Sequence, residues 1–333
     1  MLAKSNYVGI LNQSWEEHLA PRDDDAPTVI STFAGCGGSS LGYSMAGFRE
    51  LLAVEWDNNA VETFKRNFPE VPVYHGDIGR LTVDECMRLS GLTEAGQLDV
   101  MDSSPPCQGF SSAGNREYTD DRNQLFRQYV RLLEGLRPKV FVMENVSGMV
   151  QGKMKLIFAE ILRELKSTGY QVTATLMNAM YYSVPQARER LIFVGVRDDL
   201  GVAPSLSKTE SSPITIRQAW DGLIVDKKGL GLTPLYLKYW TVAKNGESVG
   251  LYGAGGRKLR MNKPGTTITK AGHLYHPFEP RTLAISEQKR LASFPDQFHF
   301  VGTRIDAQNR IGNSVPPLMM RAIARHIRRL INV

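Results

Sequence analysis

Residues 28–40 read TVISTFAGCGGSS. Five of the first six are apolar or β-branched, the other is Ser31, and none carries a charge, as suits a strand buried on both faces. Gly35, Gly37 and Gly38 follow at once. Without a Cβ they permit a tight turn and let the backbone approach a ligand closely. A short helix then runs to Gly47. A strand that ends in a glycine turn and enters a helix is the opening unit of an α/β sheet. The crevice beyond such strand ends is where these sheets bind nucleotides. Taken singly, the turn is equally a structural one, and it departs from the G-x-G-x-x-G pattern of dinucleotide sites.

Outward from this unit the alternation continues. Residues 51–55 read as a strand and 58–67 as a helix. Residues 82–89 read as a helix opened by the capping box TVDE. Residues 98–101 form a strand. A helix over 123–136 sets Leu125, Phe126, Tyr129, Val130, Leu133 and Leu136 on one face. Further strands are expected at 139–143, 172–178 and 190–196, and a helix at 154–168 with Gly169 as its C-cap. This order predicts an α/β fold with a doubly wound, mostly parallel sheet. After Arg197 the periodicity weakens, and 198–299 reads as a smaller, irregular domain. A terminal helix over 317–331 returns to the large domain, which is expected to comprise 28–197 plus 300–333. Residues 1–27, ending in PRDDDAP, read as a leader segment.

The chain has 333 residues, 42% hydrophobic and 22% charged, an ordinary balance for a soluble globular protein. No apolar run is long enough to span a bilayer, and the first 20 residues lack a signal core. A cytoplasmic, non-membrane protein is expected. Cys36, Cys86 and Cys107 are the three cysteines, an odd set without the spacing of a disulfide framework or zinc site. The net charge of +6 is compatible with a polyanionic partner. Basic residues gather at 227–228, 257–260, 263–270 and in the C-terminal RAIARHIRRL.

Further features fall at strand ends. Glu55 lies roughly 20 residues after the glycine turn, where an acid can grip ribose hydroxyls. Asp77 closes a third short segment and could meet an adenine amino group. Pro105-Pro106-Cys107 fixes a thiol on a rigid turn, and a polar stretch with the character of a lid follows it. Glu144 follows the strand KVFVM. Arg188 and Arg190 share one side if their segment is extended, as suits a phosphate or a polarised carbonyl. Each residue has a plainer reading: a structural turn, packing, a helix cap or a solvated charge.

Together they are specific. FAGCGG (33–38), PPCQGFS (105–111), ENV (144–146) and QARER (186–190) occur in that order. RTLAISEQKRLASFPD (281–296) and RIGNSVPP (310–317) follow near the C-terminus. These stretches resemble the motifs of the DNA cytosine-5 methyltransferases, of the bacterial restriction–modification type. The resemblance covers about residues 28–330, apart from the variable segment. It implies a Rossmann-like catalytic domain, with 198–299 as the target-recognition domain. It also implies methyl transfer from S-adenosylmethionine to carbon 5 of cytosine in duplex DNA, with the base flipped out.

On that resemblance Cys107 attacks carbon 6, Glu144 holds the ring nitrogen and exocyclic amine, and Arg190 holds the base carbonyl. Arg188 supports Arg190 or a phosphate. The cofactor contacts implied are Phe33, Ala34, Gly35, Gly38, Glu55, Trp56, Asp77, Ile78, Pro106, Leu125, Asn313, Ser314 and Val315. Trp56 is expected to stack on adenine. Gln108, Ser111, Arg122, Arg257, Lys258 and Arg260 are expected to touch DNA. The loop GLYGAGGRKLRMNKPG (250–265) resembles those that read base edges. A monomer with no metal is expected. An RNA-modifying relative is the first alternative, but the Cys-Phe-Thr tripeptide common in those enzymes is missing here. A catalytically silent DNA-binding relative would not need Cys107 and Glu144. A nicotinamide-dependent dehydrogenase explains neither PPC nor QARER.

Overall fold

Strand β1 (Thr28–Thr32) lies third in a seven-stranded sheet. The computed structural model describes residues 6–106, 121–152, 154–206, 211–250, 256–270 and 273–331, with the backbone alone at 121–124. The strand order is β3 (Val73–His75), β2 (Arg49–Glu55), β1, β4 (Val100–Ser103), β5 (Val140–Val146), β8 (Glu189–Arg197) and β6 (Tyr170–Asn178). The first five in that order pair in parallel. β8 runs antiparallel to both β5 and β6, so the sheet is mostly rather than wholly parallel. A two-residue β7 (Gln186–Ala187) precedes β8 and pairs with β10 (Gly265–Thr266), while β9 (Arg257–Lys258) pairs with β11 (Leu274–Tyr275).

Alternation along each strand explains the layers. Val29 and Val100 enter one apolar cluster, and Ile30 and Met101 enter another on the opposite face. The first face is covered by α1 (Tyr7–Leu19), α2 (Gly38–Met45), α3 (Asn58–Asn67), α10 (Arg304–Asn313) and α11 (Pro317–Leu330). The second is covered by α4 (Val83–Ser90), α5 (Asp121–Leu136) and α6 (Met154–Ser167). Strand order reverses direction between β1 and β4, which opens a crevice at their C-terminal ends.

The end of the chain lies along its beginning. α11 runs beside α2, and two glycines make the approach possible. A Cβ on Gly38 would come 2.5 Å from the carbonyl oxygen of Val315, and one on Gly42 would come 2.5 Å from Met320 Cβ. The expectation that the terminal segment packs against the first strand unit matches this contact.

Two expectations change. The segment read as a leader carries α1, whose Tyr7 and Leu11 are 1% exposed and belong to the main core. Tyr7 donates its hydroxyl to the carbonyl of Arg290 at 2.6 Å, so this helix is structural, not a detached leader. The region 198–299 is also less separate than its texture suggests. Ile214, Ile216 in α7 (Ile216–Ala219), Leu291 in α9 (Ile285–Leu291), Phe294 and Phe298 all enter the main core. Among the described residues a small cluster of Ala243, Val249 and Tyr275 is its own, packed with Tyr239 and Trp240 of α8 (Pro234–Val242).

Candidate active site

The turn after β1 is bent sharply. Phe33 has φ 52°, Gly35 58° and Gly37 90°, all in the left-handed region. For phenylalanine this is a strained conformation of the kind that gathers at ligand sites. Gly35 has open space where a Cβ would stand. Its N–H donates to Glu55 Oε2 at 2.7 Å, across the ends of β1 and β2. Glu55 Oε1 accepts from the N–H groups of Trp56 (2.8 Å) and Asp57 (2.9 Å). The buried carboxylate is thereby aimed by charge-assisted bonds at the rim of the crevice. Beside it Trp56 is 76% exposed, an apolar ring without protein cover.

The other expected cofactor residues surround this turn unevenly. Ala34 is half-buried and donates its N–H to Val54. Ile78 is buried; Asp77 is exposed, and its Oδ1 accepts from Gly79 N–H at 2.9 Å. Leu125 is half-buried and Pro106 is exposed. Val315 is buried behind Gly38, while Ser314 is half-buried and Asn313 exposed. An uncovered indole, a fixed carboxylate and open space over a glycine are a donor set suited to a nucleoside.

The second half of the site is built on β5 and β8. In the antiparallel register Val146 lies opposite Arg190, and Glu144 lies opposite Ile192. Glu144 and Arg190 therefore share one face as diagonal neighbours. Arg190 Nε sits 2.6 Å from Glu144 Oε1, with the side chains 13% and 11% exposed. β5 runs through Val146, three residues beyond the strand expected at 139–143, so both charges lie at the crevice end of the sheet.

Arg188 does something else. It was expected to share the site with Arg190, but the strand breaks between β7 and β8 at residue 188. The side chain is buried, and its guanidinium donates to the carbonyls of Ile268 (2.8 Å), Gly312 (2.8 Å) and Ser314 (2.9 Å). Burial lowers its pKa to about 9, with Arg190's charge adding to the effect and Glu144 opposing it. Arg188 is a clamp on backbone carbonyls, and its Nε is buried without a hydrogen-bond partner.

The expected DNA contacts also divide. Lys258 is buried, because its Nζ donates to the carbonyls of Trp240 and Ala243, each at 3.0 Å, and stands 3.7 Å over the Trp240 ring. It is a core cation of the small cluster, not a DNA contact. Arg257 and Arg260 are exposed. The basic C-terminal helix is spent elsewhere: Arg321 and Arg325 pair with Glu17, and Arg328 donates to Ala46 at the end of α2 opposite the glycine turn. Cys107, Gln108, Ser111 and the Arg122 side chain lie outside the described residues.

Three residues next to the site had no sequence signal. Asp102 on β4 is buried, 3.3 Å from the Tyr43 hydroxyl. Burial raises its pKa to about 7, and the nearby Glu144 carboxylate adds to this against hydrogen bonds from Ser39 and Tyr43. Asp57 and Arg310 form an ion pair at 3.1 Å. Arg310 lies inside the quoted RIGNSVPP stretch, yet its partner is too distant in sequence to be read. Among the described residues, no helix could cross a membrane and no cluster of His, Cys, Asp or Glu could hold a metal ion.

Known proteins share this arrangement. The profile of the C-5 cytosine-specific DNA methylases matches residues 27–228 and 215–329. The Type II methyltransferase M1.HphI of Haemophilus parahaemolyticus is 34% identical over 90% of this chain and 86% of its own. M.DdeI of Desulfomicrobium norvegicum is 31% identical over 90% and 88%. A prophage-encoded E. coli protein, whose crystal structure is described as a DNA modification methyltransferase, has a TM-score of 0.79 at 26% identity. That match covers 92% of this chain and 100% of that one. S. pombe Dnmt2, at 17% identity and TM-score 0.70 over 92% and 100%, shares the fold. The buried Glu144–Arg190 pair and the glycine turn thus sit in a sheet and a sequence of one kind, and the chain belongs to the C-5 cytosine-specific DNA methylases.

Proposed function

We propose that this methylase uses Cys107, Glu144 and Arg190 to methylate cytosine within a specific duplex sequence, as the modification half of a restriction–modification system. The Type II names of its relatives supply that setting. The observation that carries the catalytic assignment is the Glu144–Arg190 pair at the strand ends flanking the crevice. A carboxyl and a guanidinium on one face match the ring nitrogen with its exocyclic amine and the carbonyl of cytosine.

The ring of cytosine is a poor nucleophile at carbon 5. In this reading the Cys107 thiolate adds to carbon 6, forming a carbon–sulfur bond and placing an enamine at carbon 5. Glu144 at the ring nitrogen and Arg190 at the carbonyl stabilise the charge that develops during addition. S-adenosylmethionine supplies an electrophilic methyl group. Glu55 and Trp56, with the turn 33–38, are the residues that would hold it. Carbon 5 takes that methyl group as the sulfonium leaves as the neutral thioether, and loss of the carbon 5 proton to a general base then breaks the carbon–sulfur bond and frees Cys107. Arg188 keeps the strand of Arg190 in register with the 312–314 segment. The region 198–299 supplies target recognition, with Arg257 and Arg260 as its exposed cations.

The test is methyl transfer from radiolabelled S-adenosylmethionine to duplex DNA and to bulk tRNA, with bisulfite sequencing of the labelled DNA. We expect labelled DNA at one recurrent sequence, and no labelling by Cys107→Ala although that variant still binds DNA. Preferential labelling of tRNA overturns the substrate, and undiminished activity of Cys107→Ala overturns the nucleophile.

A further inference from the structure

The two walls of the proposed cofactor site come from opposite ends of the chain. One is the turn Glu55-Trp56-Asp57 at the end of β2. The other is the end of α10 with Asn313, Ser314 and Val315 behind it. An ion pair joins them. Arg310 Nη2 lies 3.1 Å from Asp57 Oδ2, with the side chains 15% and 38% exposed. The carbonyl of Arg310 also accepts a weak bond from Cys36 Sγ at 3.9 Å, inside the glycine turn. Arg310 Nε is buried without a hydrogen-bond partner, so Asp57 is its chief polar anchor.

Asp57 divides its two oxygens between two tasks. Oδ1 caps α3 by accepting from Ala60 N–H at 2.9 Å, and Oδ2 takes Arg310. Its own N–H meanwhile donates to Glu55 Oε1 at 2.9 Å. Any drift of the 55–57 turn therefore carries the Glu55 carboxylate and the Trp56 ring with it. Trp56 is too exposed for packing to hold it in place.

We propose that Arg310 is a positioning residue for the cofactor, one that acts through Asp57 to set Glu55 and Trp56 against the 313–315 wall. The inference rests on the cofactor reading above. It predicts that the pair matters more to ligand affinity than to folding, because the Asp57 side chain is 38% exposed and solvent there screens the pair's contribution to stability.

The experiment is calorimetric titration of S-adenosylhomocysteine into the full chain, with thermal melts in parallel. Asp57→Asn retains a side-chain oxygen to cap α3 and removes the charge. We expect Asp57→Asn and Arg310→Gln each to raise the Kd roughly fivefold, the scale of a partly exposed pair, with little change in melting temperature. Arg310→Lys should recover most of the affinity, and the double variant should be no worse than either single one. In turnover, KM for S-adenosylmethionine should rise far more than kcat falls. A lowered melting temperature with an unmoved Kd shows a purely structural pair and overturns the inference. Additive losses in the double variant overturn it as well. A wild-type chain that binds no S-adenosylhomocysteine overturns the cofactor reading itself, a result distinct from either of these.

Discussion

Arg190 and Glu144 are diagonal neighbours on two antiparallel strands, joined at 2.6 Å and nearly closed to solvent. Each side chain is held in place by the other before any substrate arrives. Exchange of Glu144 for glutamine keeps the shape and removes the charge. The expected result is a loss of about 10²–10⁴ in single-turnover methyl transfer. Duplex binding should persist, since neither strand end carries the sequence-reading cations. A rate within tenfold of wild type removes Glu144 from catalysis.

Arg188 satisfies three carbonyls from inside the protein. Arg188→Ala strands these acceptors, at about 1–3 kcal/mol for each one left unsatisfied. The melting temperature should therefore fall by many degrees, and Arg188→Lys should recover only part of it. Full stability of Arg188→Ala together with weakened DNA binding would return this residue to the substrate.

His18 gives the fold an acid-sensitive point. Its Nδ1 meets Ser44 Oγ at 2.8 Å and its Nε2 meets the Asn67 carbonyl at 3.3 Å, between Trp15 and Phe68. Burial lowers its pKa from 6.5 to about 4 against the raising effect of the Asn67 carbonyl, and the charge of Arg22 adds a smaller lowering. Between those values the unfolded chain binds a proton that the folded chain does not. Stability from this group is thus complete above pH 6.5 and declines as pH falls toward 4, by up to about 1.4 kcal/mol per pH unit. Chemical denaturation across that range should show a steeper acid decline for wild type than for His18→Gln. Parallel profiles would show that His18 is not the group responsible.

Arg257 and Lys258 are adjacent in sequence and separated in role. Arg257→Ala should weaken duplex binding and reduce the slope of log K against log salt by about one phosphate contact. Lys258→Ala should instead lower the melting temperature, because the cation supports Trp240 and two carbonyls from within. Filter binding over a salt series separates the two. An equal salt slope for wild type and Arg257→Ala would exclude Arg257 from the phosphate backbone.

Local chemistry was legible from the sequence wherever neighbours in the chain are neighbours in space. The glycine turn, the Thr82 cap of α4 and the strand before Glu144 all belong to this kind, and so does the limit of α3 at 58–67. What escaped depends on partners far away. The burial of α1 rests on partners remote in sequence, with Tyr7 reaching Arg290 across 283 positions. Alternation placed Arg188 beside Arg190, but the break between β7 and β8 turns it toward 268 and 312–314. Lys258 read as a groove-facing cation because nothing in its vicinity announces the Trp240 ring beneath it. The charge of the C-terminal helix suggested a polyanion, while Arg321 and Arg325 pair with Glu17 and Arg328 reaches the end of α2.

The close approach of Gly38 to Val315 has a consequence for synthesis. A ribosome makes the glycine turn long before the residues that pack behind it. The nascent chain can pair its strands, but the pocket around that turn stays open until residue 315 has left the exit tunnel. On the proposed cofactor reading, the wall behind Gly38 is complete only once Val315 is in place. A chain that stops within 198–299 lacks Val315 and so leaves Gly38 uncovered, and the expected outcome for such a fragment is no methyl transfer.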